Sequence, residues 1–124
     1  MKTRIIIALA FVAFTLSGLA GDVGGIGMVI VDRNSVNEPL RTGTIYPGSP
    51  AARAGVTPNG FLISVDGTNV VSMSLIQSMN IVRGPVGTTV TLEIADSGMS
   101  VTNKFTVKRS RMVFSKDKIE FIDQ

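Results

Sequence analysis

The stretch Gly24-Gly25-Ile26-Gly27-Met28-Val29-Ile30-Val31 runs from a glycine-rich turn directly into an apolar strand. Three glycines in four residues allow positive φ angles and let successive backbone N–H groups face one side, which suits capture of a peptide carboxylate. The strand that follows could accept a peptide as an additional strand. A flexible linker is the alternative interpretation, and it is preferred on this stretch alone. The rest of the chain reverses that preference.

The composition indicates one folded domain. A chain of 124 residues, 44% hydrophobic and 17% charged, has enough apolar material for a single core and is not generally disordered. Two of its twelve cations, Lys2 and Arg4, lie in a segment that we expect to be removed, which leaves ten cations against nine acids. A mature net charge of +1 gives no electric field that would favour nucleic acid.

Residues 1–20 have the pattern of a secretory signal peptide, with a charged start, an apolar stretch over 5–16 and small residues before the cleavage site. Cleavage after Ala20 would leave Gly21 as the mature start and deliver an exported protein to the periplasm or the medium. The alternative is a membrane anchor, but the apolar stretch is shorter than the ~20 residues that span a bilayer.

The sequence contains no Cys and no His. This excludes disulfides, thiol nucleophiles, Cys or His zinc ligands and an imidazole base, and the nine acids are scattered singly through turns and strand ends. We therefore expect no catalytic residue, no metal and no cofactor. An exported domain without disulfides is more typical of a bacterial envelope protein than of a eukaryotic secreted one.

Periodicity and breaker residues predict mainly strands with two helices. The predicted elements are strands 26–32 and 40–46, a short helix after Ser49, a strand over 61–65 continuing extended over 68–71, a helix over 75–83, and a hairpin of strands 88–95 and 101–108. Ser49 and Pro50 suit the first positions of the short helix, and Gly55 suits its end. The tail after Arg109 shows no firm element.

The second helix is predicted most clearly, because Ser74 and Gln77 form a capping box and Gly84 precedes a proline. Its residues Leu75, Met79 and Val82 share one face. Core packing is the alternative role for that face.

The order of elements is that of a small β-rich sandwich capped by two helices. Residues 48–55, 61–67 and 25–28 resemble the "GSPAxxAG", "xILxVNG" and "GLGF" motifs of PDZ domains, in order and spacing. The chain is similar to this family over residues 24–109. The resemblance implies an α+β, PDZ-like, partly open β-sandwich or barrel in the circularly permuted bacterial strand order.

Within the family, the segments 73–75 and 81–87 most resemble the PDZ domain of bacterial tail-specific (carboxyl-terminal processing) proteases. The resemblance divides the chain into a signal peptide (1–20), a PDZ domain (21–109) and a tail (110–124). The tail leaves no room for the serine–lysine protease domain of those enzymes, so we expect no enzyme activity. Ser110, Ser115 and the tail lysines are expected to be solvated surface.

The resemblance also implies a peptide site. A peptide antiparallel to strand 26–32 would place its carboxylate on the N–H groups of residues 26–28 and its last side chain in an apolar pocket, with Leu75 facing the side chain two residues earlier. The predicted site residues are Gly25, Ile26, Gly27, Met28, Ile30, Leu75, Met79 and Val82. Many members carry a basic residue just before the loop, where this chain has Asp22 and Val23, which puts the strength of carboxylate binding in question.

The sequence leaves several partners open. The leading hypothesis is an exported, non-catalytic module that binds C-termini or extended peptides with an apolar last residue. The alternatives are substrate recognition in trans for a separately encoded envelope protease, and a structural or self-associating domain. The cationic residues Lys104, Lys108, Arg109 and Arg111 could touch anionic lipid, but a solvated edge strand is the preferred interpretation, and nucleic acid is not expected.

Overall fold

The computed structural model describes residues 23–122, so the predicted signal peptide lies outside the described residues. The helices and strands are β1 (Val23–Gly24), β2 (Met28–Val31), β3 (Leu40–Ile45), α1 (Pro50–Arg53), β4 (Phe61–Val65), β5 (Thr68–Asn69), α2 (Leu75–Val82), β6 (Gly84–Pro85), β7 (Thr89–Ala95), β8 (Thr102–Lys108), β9 (Arg111–Ser115) and β10 (Lys118–Ile122).

The main sheet is antiparallel, with the order β2-β3-β4-β7-β8, and β5 pairs with β4. Two smaller antiparallel pairs, β1 with β6 and β9 with β10, complete the described strands. The predicted fold class, mainly β with two helices, is confirmed. The sheets are open rather than closed into a barrel, and β2 and β8 are the edges of the main sheet.

The core lies under β7 and the strands beside it. In β7, Val90, Leu92 and Ile94 are buried and alternate with more accessible residues, as the period of two in a half-buried strand requires. They pack with Leu62 of β4 and Val107 of β8 in one hydrophobic cluster. This cluster holds the sheet on which the helices are placed.

Both predicted helix starts are confirmed. The Ser49 hydroxyl accepts a hydrogen bond from the Ala52 N–H at 3.1 Å, and Ser74 and Gln77 exchange two capping bonds of 3.1 Å. Helix α2 ends at Val82, one residue earlier than predicted, because Arg83 is already extended ahead of Gly84 and its proline.

The predicted solvated position of Arg109 is wrong. Its side chain is 6% exposed and donates from Nε to the Val82 carbonyl oxygen (2.9 Å) and from a terminal nitrogen to the Thr88 hydroxyl (2.8 Å). Burial lowers the pKa of this guanidinium, and the charge of Asp66 acts in the opposite direction. A Cβ on Gly84 would lie 2.6 Å from the Arg109 Cζ, so only glycine leaves room for the side chain.

The tail forms a hairpin where the sequence indicated no element. Strands β9 and β10 pair Met112 with Phe121 and Phe114 with Ile119, so four apolar side chains lie on one face of the hairpin. Just before β9, Ser110 is fully buried, so its predicted solvated position is wrong. It exchanges two backbone hydrogen bonds of 2.9 Å with Gly25. This bridge places the hairpin beside the glycine-rich turn.

Candidate functional site

A cavity of about 270 Å³ opens between β2, helix α2 and the hairpin. Its lining residues are Gly25, Ile26, Gly27, Met28, Val29, Ile30, Tyr46, Met79, Val82, Arg83, Met112, Phe114 and Ile119. Most of these side chains are apolar, and the backbone of the glycine-rich turn forms one end of the cavity.

The backbone of the glycine-rich turn is held by its carbonyl groups. The Ile26 carbonyl oxygen accepts the Ala51 N–H at 2.9 Å, and the Gly27 carbonyl oxygen accepts the Tyr46 N–H at 3.0 Å. Gly27 has a φ of 79°, a left-handed conformation that favours glycine. Within residues 23–122, no backbone acceptor takes the N–H of Ile26 or Gly27. Two amide donors are therefore available at the end of an apolar cavity.

Strand β2 presents an unpaired edge beside these amides. Met28 lies opposite Ile45 of β3, and the Tyr46 bond to Gly27 joins the residues that flank this pair. In such an antiparallel pair, the N–H and C=O of Met28 itself point away from the neighbouring strand. None of the described strands pairs with this outer edge of β2. The edge can therefore accept an additional antiparallel strand.

The structure brings seven of the eight predicted site residues to this cavity. Ile26 and Val82 form its buried part, with exposures of 2% and 5%, while Met28 and Met79 are half-buried. Leu75 is half-buried in the first turn of α2 and is not among the residues that line the cavity. Its contact with a peptide side chain stays a prediction.

Sequence reasoning missed the side chains that the hairpin contributes: Met112, Phe114 and Ile119. The apolar run over 112–114 and the alternation over 119–121 could have indicated two strands, but no Asn-Gly or Asp-Gly turn joins them. Arg83 also lines the cavity and was not predicted, because the family resemblance indicates a cation only just before the loop.

Arginine side chains hold α2 at both ends. Arg33, in the loop after β2, donates to the carbonyl oxygens of Val71 (3.0 Å) and Met73 (2.7 Å), just ahead of the helix. At the other end, Arg109 donates to the Val82 carbonyl oxygen. Multiple bonds from one planar guanidinium restrict position more than a single bond would. Both ends of α2 are thus held by contacts within the chain.

No group of three or more Cys, His, Asp or Glu side chains that could hold a metal occurs among residues 23–122. In the same range, none of the helices has the length and apolar character needed to cross a membrane.

Comparison with known proteins gives consistent results. Residues 42–96 match the family model of the PDZ domain. Over 95 residues, or 77% of this chain, the sequence is 33% identical to a carboxyl-terminal-processing protease of Synechocystis sp., of which the match covers 22%. A similar protease of Bartonella bacilliformis is 30% identical over 79 residues and is covered to 18%. The chain spans about a fifth of the length of these curated relatives.

Solved structures show the same relationship. A photosystem II D1 C-terminal processing protease superposes with a TM-score of 0.69 at 26% identity, over 82% of this chain and 26% of that one. The PDZ domain of a carboxy-terminal protease from Vibrio cholerae, solved in complex with a peptide, has a TM-score of 0.64 at 22% identity. That match covers 75% of this chain and 99% of the Vibrio domain, and at this identity it shows the fold alone.

Proposed function

This chain carries a PDZ domain related to those of carboxyl-terminal processing proteases, and from this premise we propose that it binds the C-termini, or exposed extended segments, of other proteins by β-strand addition. The observation that carries the proposal is the position of two available amides, on Ile26 and Gly27, at the end of an apolar cavity beside an unpaired strand edge. The peptide bound to the Vibrio cholerae domain is consistent with this use of the fold.

The ligand should end in an apolar residue. Its last side chain would enter the cavity between Ile26, Met28, Met79 and Val82, none of which offers a polar side-chain atom. Methionine adapts its shape to different neighbours, so these four residues alone would accept Leu, Val, Ile, Ala or Phe. Selectivity among these side chains must come from other parts of the site.

Two further parts of the proposal concern activity and location. We infer that the chain is non-catalytic, since its sequence has no Cys, no His and no acid pair with the spacing of a general acid and base. We also infer export, from the signal-peptide pattern of residues 1–20. N-terminal sequencing of the protein from cells should find Gly21, whereas Met1 on a membrane-bound species would contradict export.

The experiment that tests peptide binding is a calorimetric titration with short peptides that end in Leu. We expect micromolar affinity for the free C-terminus, about −8 kcal/mol, as for one short added strand with one filled pocket. Amidation removes the negative charge and should weaken binding by about tenfold, because charge-assisted bonds to N–H groups are the stronger ones. Absence of binding by either peptide would contradict the proposal, and equal binding of both would show that the Ile26 and Gly27 amides do not recognise the carboxylate.

A second candidate is substrate recognition in trans. The relatives found by sequence are proteases, and this chain matches only about a fifth of each. A chain of this kind could deliver substrates to a separately produced protease of the same envelope. Faster cleavage of a substrate with an apolar C-terminus when the purified chain is added, lost on amidation of that C-terminus, would support this role.

A further inference from the structure

The C-terminal hairpin forms a third wall of the cavity, beside β2 and α2. Met112 and Phe114 of β9 and Ile119 of β10 all line the cavity. They share one face of the hairpin. Phe114 and Ile119 are cross-strand partners, and Met112 lies two residues before Phe114 in the same strand, so all three side chains point to the same side. The hairpin thus directs one apolar face at the place where the last side chain of a peptide would lie.

The hairpin is anchored to the turn that would bind the carboxylate. A Cβ on Gly25 would lie 2.9 Å from the Met112 Cε, and a Cβ on Gly27 would lie 2.9 Å from the Phe121 Cζ. Ser110 adds two backbone bonds to Gly25. A two-stranded ribbon is marginally stable by itself, so these contacts fix the wall relative to the carboxylate site.

Phe114 is the solvent-exposed part of this wall. Its side chain lines the cavity, yet it is 70% exposed. Its cross-strand partner Ile119 is half-buried, so the two side chains form an apolar rim above the cavity. Burial of an aromatic ring under a ligand is favourable because it removes a large apolar area from water.

We propose that this hairpin is part of the peptide site and that Phe114 and Ile119 give it a preference for a large apolar last residue, Leu, Ile or Phe, over Ala. The inference rests on the proposed function and specifies its ligand. A large last side chain reaches past Met79 and Val82 to the hairpin wall and covers the Phe114 ring, whereas an alanine methyl group ends in the inner pocket. The preference comes from contact area, so it increases with the size of the last side chain.

The test compares peptides that differ only in the last residue, Phe or Ala, on the full mature chain and on the double variant Phe114→Ala and Ile119→Ala. We expect the wild type to bind the Phe peptide about tenfold more tightly than the Ala peptide, and the double variant to lose most of that difference. Affinity for the Ala peptide should change by less than about twofold. The matched control is Val113→Ala, a truncation in the same strand on the opposite face of the hairpin, which should leave both affinities unchanged.

A second measurement does not depend on truncation. In the complex with the Phe peptide, nuclear Overhauser contacts should join the last ring of the peptide to the methyl groups of Ile119 and Met112. If free peptides bind more tightly than amidated ones while the double variant keeps the full preference and these contacts are missing, the role of the hairpin is wrong and the proposed function stands. Tighter binding of both peptides by the double variant would make the hairpin a cover that competes with ligand. If neither the free nor the amidated peptide bound, the proposed function itself would be wrong.

Discussion

The guanidinium of Arg109 donates a hydrogen bond of 2.9 Å to the carbonyl oxygen of Val82, and so joins the chain just after β8 to the last turn of α2. The last carbonyl groups of a helix have no partner within the helix, and the helix dipole makes this end partly negative. A buried arginine supplies both a hydrogen-bond donor for these carbonyl groups and a positive charge at the negative end of the helix. Because Val82 lines the cavity, the same bond fixes one wall of the candidate site.

Replacement of Arg109 by methionine should therefore destabilise the domain. The substitution leaves the carbonyl oxygens of Val82 and Thr89 without their donor, and we expect a loss of about 2 to 4 kcal/mol in the free energy of unfolding. Urea titration measures this loss. Lys108→Met removes the same charge from the adjacent, exposed position and should change stability by less than about 0.5 kcal/mol. Equal effects of the two substitutions would contradict the anchoring role.

A second prediction separates backbone strain from close packing at the glycine-rich turn. Gly27 and Gly48 both have positive φ, 79° and 75°. A Cβ on Gly27 would overlap Ser49 and meet Phe121, whereas a Cβ on Gly48 would meet nothing within 4 Å. Gly48→Ala should thus lower the free energy of unfolding only through strain in the left-handed backbone, by about 1 kcal/mol. Gly27→Ala adds steric overlap and should lower it by at least about 3 kcal/mol. Thermal unfolding of both variants provides the comparison, and similar costs would show that packing on Gly27 is loose.

Local signals explain why most of the fold could be predicted. Capping residues such as Ser49 and Ser74 act on their own helix, and the alternation of Val90, Leu92 and Ile94 reflects burial of one face of a strand. Each of these signals comes from residues within, or a few positions from, the helix or strand that it determines. The glycine-rich turn and the face of α2 that carries Met79 and Val82 could be found in the same way, and they supply the inner part of the candidate site.

The parts that could not be predicted depend on contacts between distant segments. Arg109 follows a strand with exposed lysines, and only the position of Val82, 27 residues earlier, makes it a buried anchor. The hairpin is stabilised against Gly25 and Gly27 from the other end of the chain. A sequence pattern read along the chain carries little information on such pairs, so the outer wall of the site was not predicted.

A pH-dependent contribution to stability is expected at Asp96. Its carboxylate accepts backbone N–H bonds from Ser100 (2.8 Å) and Val101 (3.3 Å), and these bonds lower its pKa below the ordinary value of 3.8. A carboxylate whose pKa is lower in the folded state stabilises the fold above the unfolded pKa, and this contribution is lost as the pH falls through the folded pKa.

When the pH is lowered from about 6 to about 2.5, the free energy of unfolding of the Asp96→Ala variant should therefore fall less than that of the wild type. The variant lacks the carboxylate that becomes protonated. Urea midpoints at the two pH values measure the difference, and the remaining acids contribute equally to both proteins. Parallel pH profiles would show that folding does not lower the pKa of Asp96.

A charge placed in the cavity should weaken binding of peptides that end in an apolar residue. Met79 lines the cavity from α2, whereas Ile76, in the preceding turn, is 69% exposed and does not line it. Met79→Lys should weaken binding of a Leu-ended peptide by at least about tenfold, because the ammonium group must be desolvated beside the ligand. Ile76→Lys adds the same charge to the same helix and should change the affinity by less than about twofold. Calorimetry that finds both variants equally weak would place the ligand elsewhere.

The last prediction concerns the cation that accompanies the carboxylate. Many related domains carry a basic residue just before the loop. In this chain, Val23 precedes the loop and is uncharged. Arg83, just after α2, lines the same cavity as Ile26 and Gly27. We expect it to supply the positive charge from the opposite side of the groove. Since Arg83 is exposed, its contribution should be modest and should fall with salt.

Arg83→Gln should weaken binding of a free C-terminus by about two- to fivefold at low salt and leave an amidated peptide unaffected. Arg83→Lys keeps the charge and should retain most of the affinity. Lys108→Gln removes one positive charge, as Arg83→Gln does, but from an exposed residue of β8 that does not line the cavity. If Lys108→Gln has the same effect as Arg83→Gln, the attraction comes from net charge alone. If only Arg83→Gln reduces the ratio of free to amidated affinity, and the reduction disappears in high salt, the carboxylate lies between the glycine-rich turn and the end of α2.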